Sequence, residues 1–208
     1  MGNWGFKPSV MNGTEHRFSA APNVSETIPS HYSYKRYLPA VLNQGANPIC
    51  VPCSVSAYLN WRENLKTKSK KDNKINYFEI YDSKAIQGEG MTFKEAFSYL
   101  RHHGVSSNAG NLSIEEYSFV GSALLLKIAL FMNGPCFGAL PVYNSTPSFW
   151  VKRTGDRLEG YHAIAIVGYD KNGFIIRNSW GTGFGQRGYT TLPYDEFNCL
   201  LELWTISE

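Results

Sequence analysis

The apolar residues of this chain change period once, at Asn133-Gly134-Pro135, and that change restricts the fold more than any other feature. Ahead of it, apolar residues recur at helical spacing. Val51, Val55, Tyr58 and Leu59 share one face, and Pro52 is tolerated only in a first turn, where its missing N–H has no helical partner to lose. The helix is therefore predicted to start at Cys50. Thr92 and Glu95 have capping-box spacing ahead of Phe93, Ala96, Phe97 and Leu100, with Gly104 as a stop. A third helix is predicted from about Ser122 to Met132.

Behind the break stand short apolar runs, Phe137 to Tyr143, Ala163 to Tyr169, Phe174 to Arg177 and Leu200 to Ile206, separated by glycine-rich turns such as Asp170-Lys-Asn-Gly173. That is the pattern of strands. A helical half followed by a β half predicts an α+β protein with two lobes and a cleft between them. Residues 1–36 show no sustained period, carry Pro8, Pro22 and Pro29, and are predicted to form an irregular N-terminal arm. Residues 37–208 form the domain, mainly helical to about residue 133 and mainly β from about 134. No internal repeat is visible.

Composition narrows the function. With 43% hydrophobic and 18% charged residues over 208 positions, the chain has the makeup of a globular protein large enough to need no metal or disulfide staple. A net charge of +3 is too small to indicate nucleic acid, and the basic run Lys66 to Lys71 lies in a polar stretch that reads as a solvated loop. The N-terminus lacks a secretory signal, and Phe6 stands where a myristoylation signal wants Ser or Thr. The longest apolar run, Ala123 to Met132, contains Lys127 and falls far short of the ~20 residues that span a bilayer. The chain is expected to be cytoplasmic or virion-associated, without membrane contact. Four cysteines then read as thiols, and the Asn-x-Ser/Thr sequences at Asn12, Asn23, Asn111 and Asn144 as chance matches.

Cys50-Val-Pro-Cys53 admits three chemistries. A dithiol redox pair wants a buried strand directly before it, whereas the preceding Asn43-Gln-Gly-Ala-Asn-Pro48 is a polar turn. A structural zinc site needs a second close ligand pair, and Cys136 and Cys199 stand alone in apolar surroundings, so no metal is expected. A nucleophilic cysteine needs an imidazole, a group orienting it, and donors for an oxyanion. His162 opens the run His-Ala-Ile-Ala-Ile-Val-Gly-Tyr169 with one imidazole at a strand end. Asn178 has a side-chain oxygen suited to an imidazole N–H, Trp180 follows as a shield, and Gln44 supplies an amide near Cys50.

Taken together, Asn43-Gln-Gly45 with Cys50, Gly160 to Tyr169 and Asn178-Ser-Trp-Gly-Thr-Gly-Phe-Gly-Gln-Arg-Gly-Tyr189 resemble the papain-like cysteine peptidases. The resemblance covers about residues 38–208. It implies a papain-like two-lobed fold with the site in the cleft, and roles for Cys50 as nucleophile, His162 as its proton partner, Asn178 as orienting group and Gln44 in the oxyanion hole. Trp180 would pack over the Asn–His bond, leaving Cys53 a bystander. The resemblance also implies peptide hydrolysis through a thioester acyl-enzyme, a peptide or protein substrate and no cofactor. The substrate backbone in relatives pairs with a glycine-containing loop, for which Gly88, Glu89 and Gly90 are the counterpart here.

Three departures shape the expectation. The signature C-G-[SA]-C-[WY] of papain and cathepsins reads here as Asn47-Pro-Ile-Cys50-Val51. His162 and Asn178 follow Cys50 by 112 and 128 residues, tighter than the usual span of about 130 to 150. The arm is too short and irregular for the family's long helical prodomain. These point to a compact, disulfide-free branch similar to bacterial or viral relatives. A catalytically idle papain-like fold serving as a binding or virion component, and a papain-like acyltransferase or amidase, remain the alternatives.

Overall fold

The computed structural model describes residues 5–21, 24, 27–83 and 89–208. Helix α1 spans Cys50–Thr67 and begins at the residue that Pro52 dictates, its first i to i−4 bond running from Cys53 N to Ile49 O at 3.0 Å. It is enclosed nearly all round. Three of its buried polar residues find partners on the helix itself: Ser54 Oγ donates to Cys50 O, Ser56 Oγ to Cys53 O and Asn60 Nδ2 to Ser56 O. These bonds let side chains without apolar character lie inside the protein, because each buried donor is satisfied.

Helix α2, Tyr77–Asp82, is a single short element that the sequence pattern does not announce. Helix α3, Phe93–His102, starts with a reciprocal capping box. Glu95 N donates to Thr92 Oγ1 at 3.1 Å, and Thr92 N donates to Glu95 Oε2 at 2.7 Å. Gly104, at φ +74°, ends the helix in a conformation that side chains with a Cβ rarely adopt. Helix α4 covers Ala123–Met132.

The strands are β1 (Tyr32–Ser33), β2 (Val105–Ser107), β3 (Gly110–Leu112), β4 (Glu116–Phe119), β5 (Cys136–Val142), β6 (Gly160–Asp170), β7 (Gly173–Arg177), β8 (Tyr189–Pro193) and β9 (Leu203–Ser207). Apart from the small β2–β3 hairpin they form one antiparallel sheet in the order β4-β9-β5-β6-β7-β8, with β1 added on β6. β6 is its centre. Ala163, Ala165 and Val167 face the core shared with α1 and α3, while Ile164 and Ile166 face the core around Phe149, Trp150 and α4. That alternation is the period-2 consequence of a strand buried on both sides.

The fold is α+β, as the change of period predicts. Five strands escape the apolar pattern for a physical reason. β1, β2, β3, β4 and β8 each bury at most one side chain, so their sequences carry no apolar run. β4 also lies ahead of the period change and reaches the sheet only by pairing with β9, Phe119 opposite Trp204.

Because the capping box fixes the chain immediately after Gly90 and Met91, its loss tests how that segment is anchored. Thr92→Ala is expected to lower unfolding stability by about 1 kcal/mol, read as a reduced urea midpoint with an unchanged slope.

Candidate active site

Four elements deliver the predicted side chains. Cys50 opens α1, His162 is the third residue of β6, Asn178 follows the end of β7, and Gln44 lies in the turn ahead of α1. All four are buried, Cys50 and His162 completely. The imidazole is held from one side: its Nε2 and the Asn178 Oδ1 are 2.7 Å apart. Asn178 cannot rotate freely, because the same Oδ1 accepts Ser179 N at 2.7 Å.

Trp180 lies 4.8 Å from the His162 ring, centroid to centroid, with the planes tilted by 31°. Phe149 meets His162 edge-on at 5.8 Å and Trp180 at 4.9 Å, and Phe184 meets Trp180 edge-on at 5.0 Å. The histidine–asparagine bond is thus roofed by three aromatic rings, which keep water from competing for it. The sequence pattern does not single out Phe149 or Phe184. Phe184 could have been found inside the Asn178–Gly185 motif, whereas Phe149 comes from a loop whose neighbours in sequence give no hint of the site.

The turn carrying Gln44 is tied to the same loop. Gln44 N donates to Ser179 O at 2.8 Å, Ser179 Oγ donates to Gln44 Oε1 at 2.6 Å, and Gln44 Nε2 donates to Asn47 O at 3.0 Å. Asn43 forms an antiparallel bridge with Trp180, and Gly181 N donates to Leu42 O at 2.9 Å. One N–H of the Gln44 amide is therefore used to orient the other.

Burial dominates the electrostatics. It pushes the Cys50 thiol up to about 12, against the opposing pull of the backbone amides of Ala163, Val51 and Cys50 itself. It pulls the His162 imidazole down to about 4, against the raising effect of Asn178. Burial thus favours the neutral form of both groups. The Ala163 amide on the Cys50 sulfur places the thiol beside the residue that follows His162. Readmitting water would move the two groups toward one another, the thiol down and the imidazole up, which is the direction that forms a thiolate–imidazolium pair. Cys53 belongs to a separate apolar cluster with Ile49 and Tyr81, and burial raises its thiol too.

The N-terminal arm packs beside the turn that leads into α1. Gly5 is wedged between Pro48 and Gly90: a Cβ on Gly5 would come within 2.4 Å of the Pro48 carbonyl carbon, and one on Gly90 within 2.8 Å of Gly5 C. Met91 N donates to Gly5 O at 2.8 Å and Lys7 N to Met91 O at 3.0 Å, which makes an isolated parallel bridge between Phe6 and Met91. The Phe6 side chain is buried in the cluster that contains Cys50, 5.5 Å from Phe93. Lys7 forms an ion pair with Glu89, and Glu15 with Lys94 at 3.0 Å. Of the predicted loop, Glu89 and Gly90 thus contact the arm, and Gly88 lies outside the described residues.

The family model for "Papain family cysteine protease" matches residues 124–206. An uncharacterised peptidase C1-like protein of Acanthamoeba polyphaga mimivirus is 34% identical over 97 residues, 40% of this chain and 31% of the relative. Papain of Carica papaya is 61% identical over 28 residues, 14% of this chain and 8% of papain. The chain thus spans less than a third of the length of these curated relatives. Among solved structures, xylellain, a cysteine protease from Xylella fastidiosa, superposes with a TM-score of 0.83 at 22% identity, covering 99% of this chain and 96% of xylellain. A procathepsin B from Trypanosoma congolense gives 0.79 at 14% identity, covering 99% of this chain and 86% of that one. The fold is papain-like.

The lowered pKa of His162 gives a pH signature. Its pKa is lower folded than unfolded, so the unfolded chain binds the extra proton first, and stability falls as pH drops from about 6.5 toward about 4. The largest effect one such group exerts is about 3 kcal/mol. Urea unfolding at pH 7 and pH 5 should show a smaller acid loss for His162→Gln than for the unaltered chain. Equal losses would place the acid sensitivity elsewhere.

Proposed function

Since the chain is papain-like in fold throughout its described length and in sequence over residues 124–206, we propose that it is a cysteine peptidase kept closed by its own N-terminal segment. The observation that carries the reading is the His162 Nε2–Asn178 Oδ1 bond, buried under Trp180 next to a cysteine at a helix start. With Nε2 committed to Asn178, Nδ1 is the nitrogen left to exchange a proton with the thiol. A charged imidazole and the N-terminal end of α1 both favour the thiolate.

In the proposed reaction the Cys50 sulfur attacks a peptide carbonyl carbon. The oxyanion forms against the Gln44 side-chain amide and the Cys50 backbone N–H. His162 then protonates the leaving amine, the C–N bond breaks, and a thioester remains on Cys50. Water attacks this thioester, giving up a proton to His162 and releasing the carboxylic acid. Asn178 keeps the imidazole in plane through both steps. Gly88, Glu89 and Gly90 serve as the substrate-pairing loop, and Trp180 shields the His–Asn bond.

The arm and a substrate exclude one another. A peptide laid beside Met91 needs the same backbone N–H and C=O that Gly5 and Lys7 now hold. Latency follows from competition for two hydrogen bonds and one apolar pocket, without any rearrangement of the four reacting groups.

Two measurements test this reading. A thiol-reactive peptide epoxide should label Cys50, and Phe6→Asp should speed labelling at least 10-fold by undocking the arm; an unchanged rate would remove the arm from the gate. In the undocked background, Cys50→Ala and His162→Ala are expected to abolish peptide hydrolysis with folding intact, while Asn178→Ala retains a residual rate. Cys53→Ser should keep most activity, because a thiol hydrolase needs no resolving cysteine. Hydrolysis by Cys50→Ala would end the proposal, and labelling without cleavage of any peptide library would favour the acyltransferase or amidase reading.

A further inference from the structure

A concavity of about 510 Å³ lies behind the loop that carries Asn178. Its polar lining is Lys35, Lys70, Thr182, Gln186, Arg187 and Tyr189, and residues 39–41 form its wall. No carboxylate lines it. None of the three cations forms an ion pair among the described residues. Lys35 Nζ stands 4.5 Å over the Tyr189 ring, and burial lowers its pKa, only partly offset by Asp170, which does not line the concavity. Arg187 adopts φ +57°, a left-handed conformation uncommon for a residue with a side chain.

A fourth positive charge stands behind the wall. Arg177 is 6% exposed, and its guanidinium donates to Pro39 O and Ala40 O at 2.9 Å each and to Tyr189 Oη at 2.8 Å. These acceptors are neutral. Asp72, which feels the Arg177 charge, is bonded to Lys74 and lines a different concavity. Four cations thus share one region whose lining holds no carboxylate, Asp170 and Asp72 acting on Lys35 and Arg177 from outside it. Buried or clustered like charges of this kind are stabilised most strongly by a counter-charge, and guanidinium and ammonium groups match the oxygens of phosphate.

We propose that this concavity binds a small anion carrying two or more linked phosphate groups. The volume exceeds the needs of a single tetrahedral oxyanion, and Thr182 and Gln186 add neutral donors to its lining. Such a ligand would join the segment 35–41 to the loop 178–188. Leu42 and Gln44 lie just past the first segment and Asn178 opens the second, and the Gln44–Ser179 and Leu42–Gly181 bonds tie that continuation to the loop. Occupancy therefore stiffens the setting of both side chains. The binding claim stands apart from the hydrolase reading.

The test is calorimetric titration of the full chain with inorganic triphosphate at fixed ionic strength, alongside sulfate, inorganic phosphate and ATP. Saturable binding of one triphosphate per chain is expected, at least 10-fold tighter than sulfate or phosphate. Arg187→Ala and Lys70→Ala, both at exposed positions, should each weaken it at least 10-fold, while Lys152→Ala leaves it unchanged. ATP binding at the triphosphate affinity identifies the phosphate chain as the whole determinant, and tighter ATP binding identifies a nucleotide source. Non-saturable binding, an equal effect of Lys152→Ala, or indifference to Arg187→Ala overturns the proposal. Hydrogen exchange should slow in residues 182–189 on binding; slowing spread evenly over the chain would point to general electrostatics and also overturn it.

Discussion

The contact between the start of α1 and strand β6 sets everything else in this molecule. It brings the Cys50 thiol onto the Ala163 amide, one residue past His162, and it does so with small side chains. Ala163 and Ala165 on the β6 face toward α1 permit the close approach, while Ile164 and Ile166 on the other face hold the strand against the second core. A larger residue at Ala163 would push the helix away from the sheet, and the thiol would leave the imidazole. Hydrophobic packing on two sides of one strand thus determines the position of a polar pair that contributes little to the packing itself.

The polar side of the site is organised by sharing. Asn178 Oδ1 serves two donors, Ser179 bonds Gln44 through both its backbone and its hydroxyl, and the three aromatic rings keep these bonds dry. In such surroundings each bond is stronger than in water, but each ionisation is costlier. The same burial that orders the imidazole therefore favours its neutral form. The arm lies alongside, its Gly5 fitting between Pro48 and Gly90 because it has no Cβ.

Much of the architecture was legible in the chain. Pro52 located the start of α1, the Thr92–Glu95 spacing located α3, and the apolar run after His162 located the central strand. Helix α2 was not legible, being six residues long and stabilised by neighbours rather than by periodicity. Edge strands β4 and β8 were not legible either, because a strand that buries at most one residue has no apolar alternation to read. The arm was legible as irregular. Its docking was not, since Gly5 and Phe6 carry no local signal for a partner some 85 positions away at Met91.

By itself the sequence determined which residues have chemistry to offer, in what order, and on which kind of element each one sits, because helix starts, strand runs and glycine turns are written in near neighbours. It also carried the likeness to papain-like proteins in the His162 and Asn178 segments. Only the tertiary structure decided that the arm lies against Cys50's own helix start, that Phe149 roofs the histidine, and that Lys35, Lys70 and Arg187 share one concavity above Arg177. Those facts depend on residues far apart in the chain being packed together, and a pattern of local periods carries no record of which distant surfaces will meet.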